Sequence, residues 1–229
     1  MSTLILIRHG QASFGAANYD VLSERGIEQS AALGAHLAAR EISLDAVYTG
    51  PAVRQIDTAA HLLDAASSVG TDYPQASKLD ELDEYPAFEL FKDQLPKLKD
   101  DPDVAALLAE PTGRGQKEVY VRISQRWARG ELDTGGLETF AQFEDRVHAG
   151  FDHIMATEGR GKAIAVVTSG GPISLSMRRA LDLAPERALQ VAWVIANASM
   201  TEYRYRDGEF TLVGFNRIPH LDKHQITYR

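Results

Sequence analysis

Arg8, His9 and Gly10 stand where the apolar run LILI, residues 4–7, stops. A neutral imidazole can attack phosphorus and become a phosphohistidine, which divides one difficult hydrolysis into two easier steps. That chemistry needs one ring nitrogen free and the other held, usually by a backbone carbonyl that fixes the tautomer. The transferring group is negatively charged, and an arginine fork beside it matches two phosphate oxygens. Gly10 would let the backbone come close to the phosphate. An ordinary strand end, with an exposed arginine and a satisfied histidine, would explain the same tripeptide.

A second stretch has the same shape. AIAVVTSGGPIS, residues 163–174, is an apolar run ending in Thr168 and Ser169, with Gly170-Gly171 behind them. Both runs read as buried strands, being short, continuous and rich in β-branched residues and leucine. Between them, residues 23–40 read as a helix capped by Ser23, 45–48 as a short strand, and 51–67 as a helix with Pro51 at its first position. Residues 72–116 change character, with the acidic cluster LDELDE and helical pieces separated by Pro96, Pro102 and Pro111. A long helix is expected from Thr139 to about 158, and another over 172–182 opened by Pro172. A hairpin is expected from 199–206 and 210–216 around Asp207-Gly208. Strands alternating with helices predict an α/β fold of three layers, a mostly parallel central sheet with helices on both faces. In such sheets the ligand lies beyond the carboxyl ends of the strands, so Arg8-His9 and Thr168-Ser169 could share one pocket.

The bulk numbers narrow the partners. The chain has 229 residues, 44% of them hydrophobic, enough for one α/β domain over 1–229 with a pocket-covering insertion at about 72–135. Its net charge of -8 argues against a nucleic-acid or anionic-membrane partner, which would need a basic footprint. There is no cysteine, so disulfides, Cys-ligated zinc and thiol nucleophiles are impossible. No His-Glu-x-x-His spacing and no P-loop glycine-lysine motif occurs, so neither a metal nor any other cofactor is expected. The opening apolar run is too short for a secretion signal, and the expectation is a cytoplasmic protein. A homodimer is left open.

Several ordered pieces together resemble the histidine phosphatase superfamily, with its phosphoglycerate-mutase-like fold. LIRHGQ looks like the family's nucleophile motif, and LSERGIEQSAALG, residues 22–34, is similar to its Leu-Thr-x-x-Gly-x-x-Gln-Ala helix opening. VYTGPAVRQIDTA, residues 47–59, resembles Ser-Pro-x-x-Arg-Ala-x-x-Thr-Ala, with Gly50 in place of Ser. KLDEL, residues 78–82, resembles the Leu-x-Glu that carries the acid, and VVTSGGPIS resembles Val-x-His-Gly-Gly-x-Ile.

The resemblance implies a role for each matching position. His9 would accept the phosphoryl group, and Arg8 and Arg54 would clamp it, with Ser169 and Gly170 completing the anion site. Glu81 would protonate the leaving alkoxide, a task for a carboxyl of raised pKa. Asp80, Asp83 and Glu84 crowd negative charge around it, and Glu84 is the second choice for the acid. A solvated acidic loop explains 80–84 too, and a surface salt bridge explains Arg54. Glu138, in GGLETF, could orient an arginine or a substrate hydroxyl; a helix-start carboxylate accounts for it equally.

Two departures matter. The family's second histidine, a cation on the phosphoryl oxygens, is Ser169 here. Serine donates one neutral hydrogen bond, and losing a preorganised stabiliser costs roughly 10²–10³ in rate. On this reading Ser169→His should raise turnover. The other histidines, 36, 61, 148, 153, 220 and 224, read as surface or core residues; His220 or His224 could reach the pocket only if the tail folds back. After Gly10, Gly15 stands where mutases of this kind have an asparagine, which favours a phosphatase over a mutase. The resemblance thus implies a metal-independent phosphomonoester hydrolase for a small phosphorylated substrate. The rivals are a phosphate-binding protein without turnover and, more distantly, a serine hydrolase built on Ser169, Asp222 and His224. That last motif lacks its first glycine, because Val167 stands there.

Overall fold

In the computed structural model the run STLILIR forms β1 (Ser2–Arg8) at the middle of a sheet. The structure describes residues 1–13, 20–98, 101–110, 114–206 and 209–228. Gly15 and the Asp207-Gly208 turn lie outside them. The elements that follow are α1 (Glu24–Ala39), β2 (Ala46–Thr49), α2 (Val53–Ser68), β3 (Ala76–Lys78), α3 (Ala87–Leu98), α4 (Pro102–Leu108), α5 (Arg114–Ala128) and α6 (Phe140–Glu158). Then come β4 (Ala163–Thr168), α7 (Gly170–Leu181), α8 (Pro185–Ala192), β5 (Met200–Arg206) and β6 (Glu209–Arg217).

The six strands run in the order β3-β2-β4-β1-β5-β6. The pairs β3–β2, β2–β4 and β4–β1 are parallel, and β5 and β6 add an antiparallel edge. β1 and β4 are in register from Thr3 opposite Ala163 to Arg8 opposite Thr168, so their carboxyl ends finish side by side.

Alternation along the strands builds the two faces. Ile5, Ile7, Ala165 and Val167 point into a core with Leu33 and Leu37 of α1 and Ala59 and Leu62 of α2. Leu4, Leu6, Ile164 and Val166 point the other way, onto Phe143 and Val147 of α6 and Ile173 and Leu175 of α7. Leu90, Val119, Ile123 and Trp127 from α3 and α5 join that second core. Both faces of the central strands are therefore covered, the three-layer arrangement that strand–helix alternation predicts.

Helix starts follow the capping chemistry. Ser23 caps α1 by accepting the Gly26 N–H, and Thr139 caps α6 by accepting the Gln142 N–H. Two starts differ from the expectation. α2 begins at Val53, because Ala52 is extended at ψ 140°, so Pro51 lies before the cap. α7 begins at Gly170 rather than Pro172, and the proline fits inside the first turn, where its missing N–H has no helical partner to lose. β3 was not legible as a strand: it is three residues long, at the sheet edge, and mostly exposed.

Candidate active site

His9 follows the last residue of β1 and is 5% exposed. Its Nδ1 donates to the Gly10 carbonyl at 2.7 Å, and its Nε2 faces Arg54 Nε at 3.2 Å. A guanidinium can only donate, so Nε2 must be the acceptor and carries the lone pair. The ring is thereby held as the neutral Nδ1–H tautomer. Burial pushes the His9 pKa well below the ordinary histidine value, and the charges of Arg8 and Arg54 add to that; the Gly10 carbonyl works against it.

The neighbours of His9 hold its loop rigid. The His9 N–H donates to the Thr168 carbonyl at 2.9 Å, tying the ends of β1 and β4 together. Asn197 Nδ2 donates to the His9 carbonyl at 3.1 Å. Thr58 Oγ1 accepts the Gly10 N–H at 2.9 Å and donates to the Arg54 carbonyl at 2.7 Å, joining the nucleophile loop to the first turn of α2. Gly10 also has a packing reason to be small. A Cβ there would lie 2.4 Å from the Gly26 carbonyl oxygen, so a larger residue would collide with the start of α1.

Arg54 is brought to His9 as expected. Its Nη1 pairs with Asp20 Oδ1 at 2.5 Å, and Asp20 Oδ2 also accepts the Val53 N–H at 2.9 Å. Arg8 donates through Nη1 to the Ile195 carbonyl and, at 3.1 Å, to the Tyr228 carbonyl. The tail does fold back, anchored where Thr227 meets Asn197 and Gln29, but it brings a backbone carbonyl to Arg8 and no histidine. His220 packs beside His36 with ring centroids 5.9 Å apart, and His224 is exposed.

The Glu84 carboxylate reaches the start of α7. Its Oε2 accepts the Gly171 N–H at 3.0 Å, at the start of α7, and its Oε1 accepts the Tyr85 N–H at 3.1 Å. Burial raises its pKa above the ordinary carboxyl value. The Gly171 N–H, Arg54, the Tyr85 N–H and Arg8 oppose that rise, which places Glu84 within electrostatic reach of both arginines. Glu81 sits in the 3-10 turn Asp80–Leu82, with its Cβ against Gly150 of α6. The geometry therefore favours Glu84 over Glu81 for the acid.

Glu138 holds an arginine. Its carboxylate grips Arg146 at 2.7 and 2.9 Å, and Arg146 Nη1 donates to the carbonyls of Glu81 at 2.9 Å and Asp83 at 3.2 Å. This pair staples the acidic turn to α6. Tyr85 stacks on Trp127 at 4.9 Å, and Tyr120 meets Trp193 edge-on at 5.2 Å, forming an aromatic cluster next to Glu84.

Ser169 is fully buried, and its Oγ accepts from Gln55 Nε2 at 2.8 Å. His224 is not its partner, so the serine-hydrolase arrangement does not form. Sequence reasoning missed Gln55, Asp20 and Asn197. Gln55 carried a signal, since it stands where the resembled pattern has alanine; the other two had none. Among the described residues no group of three or more His, Cys, Asp or Glu is arranged to hold a metal, and no helix is long and apolar enough to cross a membrane.

The family model described as histidine phosphatase superfamily (branch 1) matches residues 4–125 and 108–218. A 2,3-bisphosphoglycerate-dependent phosphoglycerate mutase from Staphylococcus carnosus (strain TM300) is 34% identical over 87 residues, 35% of this chain and 38% of that protein. The match therefore spans well under half of that relative's length. Among solved structures, Bacillus stearothermophilus YhfR aligns with a TM-score of 0.67 at 18% identity, covering 96% of this chain and 99% of that one. A phosphoserine phosphatase mutant from Entamoeba histolytica in complex with phosphoserine gives 0.65 at 19%, covering 96% and 100%. A putative alpha-ribazole-5'-P phosphatase from Escherichia coli gives 0.63 at 20%, covering 94% and 96%. At such identities these structures share the fold.

Proposed function

Since the chain belongs to the histidine phosphatase superfamily (branch 1), we propose that it is a phosphomonoester hydrolase working through phospho-His9. The observation that carries this reading is the locked imidazole: Nδ1–H on the Gly10 carbonyl, the Nε2 lone pair turned to Arg54, and a pKa held well below the ordinary value. Such a ring is an unprotonated nucleophile at neutral pH with a cation beside its reactive nitrogen.

In the first step the His9 Nε2 lone pair forms the N–P bond while the P–O bond to the leaving group breaks. The departing alkoxide takes the proton of Glu84, whose burial favours the protonated form. In the second step water attacks phosphorus, Glu84 as carboxylate takes a water proton, and the N–P bond breaks to return the free ring. Arg54 exchanges its contact with Nε2 for the phosphoryl oxygens, and Arg8 adds a second charge. The substrate is a small phosphorylated molecule, and the stretch 72–135, which supplies Tyr85 and Tyr120, lines the approach and sets the choice.

Hydrolysis of an aryl phosphate in EDTA, by the wild type beside His9→Ala, tests this reading. Turnover lost in the variant supports it; equal turnover overturns the assignment of the nucleophile. A second reading, phosphate binding without turnover, is favoured by Ser169, which brings no charge where the family pattern has a cation. Phosphate binding by a wild type that hydrolyses nothing would select it. The mutase reading keeps the third place that the Gly15 departure gave it.

A further inference from the structure

Three positions at which this chain departs from the pattern it resembles meet in space. Gly50 stands for serine and Gln55 for alanine in the segment around Arg54, and Ser169 stands for the second histidine. Gln55 Nε2 donates to Ser169 Oγ at 2.8 Å and lies 3.5 Å from the Leu82 carbonyl. Gln55 Oε1 accepts the Ala52 N–H at 3.1 Å. A backbone N–H only donates, so this contact decides which end of the amide is oxygen. Nε2 must then be the end facing Ser169. The serine oxygen therefore accepts, and its own hydrogen remains to be donated. Both side chains are fully buried.

Gly50 is what admits this arrangement. A Cβ at position 50 would lie 2.2 Å from Gln55 Oε1 and 2.8 Å from the Leu82 carbonyl oxygen. A serine there is incompatible with the glutamine in its present pose. The small residue at 50 leaves room for the long amide at 55 in its present pose, and that amide holds the hydroxyl at 169.

We propose that Gln55 is a positioning residue of this site. Admitted by Gly50, its amide fills the room beside residue 169 that a second imidazole would use, and it aims the Ser169 hydroxyl as a neutral donor at the phosphoryl oxygens. The proposal rests on the phosphatase reading of His9. Gln55 acts through Ser169 and does not itself touch the substrate. It follows that Ser169→His alone does not raise turnover, contrary to the expectation from sequence, because the imidazole and the Gln55 amide compete for one space.

The test is a double-mutant cycle of wild type, Ser169→His, Gln55→Ala and the double variant, read as kcat and KM on p-nitrophenyl phosphate and as Kd for inorganic phosphate. Each single variant is expected to lose about tenfold or more in kcat, and the double variant to recover at least the wild-type rate. In the double variant alone, phosphate affinity relative to wild type should fall as pH rises through the titration of the new imidazole. If Gln55 did not compete with the imidazole for that space, Ser169→His alone would show the same pH dependence. Single effects that simply multiply, or a Ser169→His variant as active as the double, would overturn the proposal.

A Ser169→His variant that fails to fold while the double variant folds is the same coupling seen as stability. If neither folds, the cycle of Gln55→Ala, Ser169→Ala and their double variant decides, since no imidazole is then introduced. Phosphate affinity that falls in each single variant and no further in the double supports the proposal, and losses that multiply overturn it. Failure of the phosphatase reading appears separately, as equal turnover by wild type and His9→Ala. The phosphate Kd cycle still decides the role of Gln55 in that event.

Discussion

Arg54 Nε lies 3.2 Å from His9 Nε2, while Nη1 of the same guanidinium holds Asp20 at 2.5 Å. One side chain therefore fixes the imidazole's protonation state and is itself fixed from behind. A single ammonium could not reach both partners with the same planar geometry. Arg54→Lys should therefore lower kcat/KM by about 10²-fold although charge is conserved. Steady-state kinetics on an aryl phosphate checks this, and a loss under about threefold would mean that charge alone suffices.

Glu84 as proton donor matters most when the leaving group is a poor one. Glu84→Gln should cost about 10²–10⁴ in kcat on an alkyl phosphate and much less on an activated aryl phosphate, whose phenolate leaves unaided. Glu81→Gln should change both rates little. The pH profile gives a second reading. kcat/KM falls as pH drops through the lowered His9 pKa, below 6.5, because a protonated ring has no lone pair. It falls again as pH rises through the raised Glu84 pKa, above 4.5, because the acid is lost. Glu84→Gln should erase the alkaline limb and leave the acid limb in place.

The Glu138–Arg146 pair acts on the site through the backbone of the acidic turn. Both side chains are about a quarter exposed or less, so breaking the pair strands a partly buried charge. Arg146→Ala should destabilise the protein by about 1–3 kcal/mol and lower kcat more than it raises KM. Thermal melts and kinetics on the same preparation measure both effects, and an unchanged kcat would detach this pair from the chemistry.

His220 makes stability depend on pH. Burial, then the neighbouring His36, lower its pKa from 6.5 to about 4, against the Ala198 carbonyl. The unfolded chain binds protons in that interval that the folded chain refuses, so the contribution is full above 6.5 and is lost as pH falls toward 4. It amounts to roughly 3 kcal/mol at most. His220→Asn should flatten, without abolishing, the fall in urea stability between about pH 7 and about pH 4.5, since His9 shifts in the same direction.

Much of the site was legible because strand ends and helix starts are local features. The break from apolar LILI to Arg8-His9, the like break at Thr168-Ser169 and the cap at Ser23 put both polar pairs at strand ends, where they could share one pocket; that β1 and β4 are neighbours came only with the fold. What stayed hidden depends on rotation and on distant partners. Glu81 sits in the 3-10 turn and Glu84 just beyond it, past the extended Asp83, and only the folded chain brings the Glu84 carboxylate to the Gly171 N–H. Gln55 reads as one more polar helix residue until Gly50 and Ser169 are seen around it. The tail's return to Arg8 depends on Thr227 meeting Asn197 and Gln29, a pairing across the whole chain. α5 carries Val119, Ile123 and Trp127 on one buried stripe, but its polar majority concealed the period.

The central claim is that the phosphoryl group passes through His9. The direct measurement is rapid quenching of the enzyme with a ³²P-labelled monoester, followed by peptide mapping of the bound label. The account predicts an acid-labile, base-stable phosphoryl group on His9, formed at least as fast as turnover and absent from His9→Ala. Turnover without a labelled enzyme, or label on another residue, would contradict it.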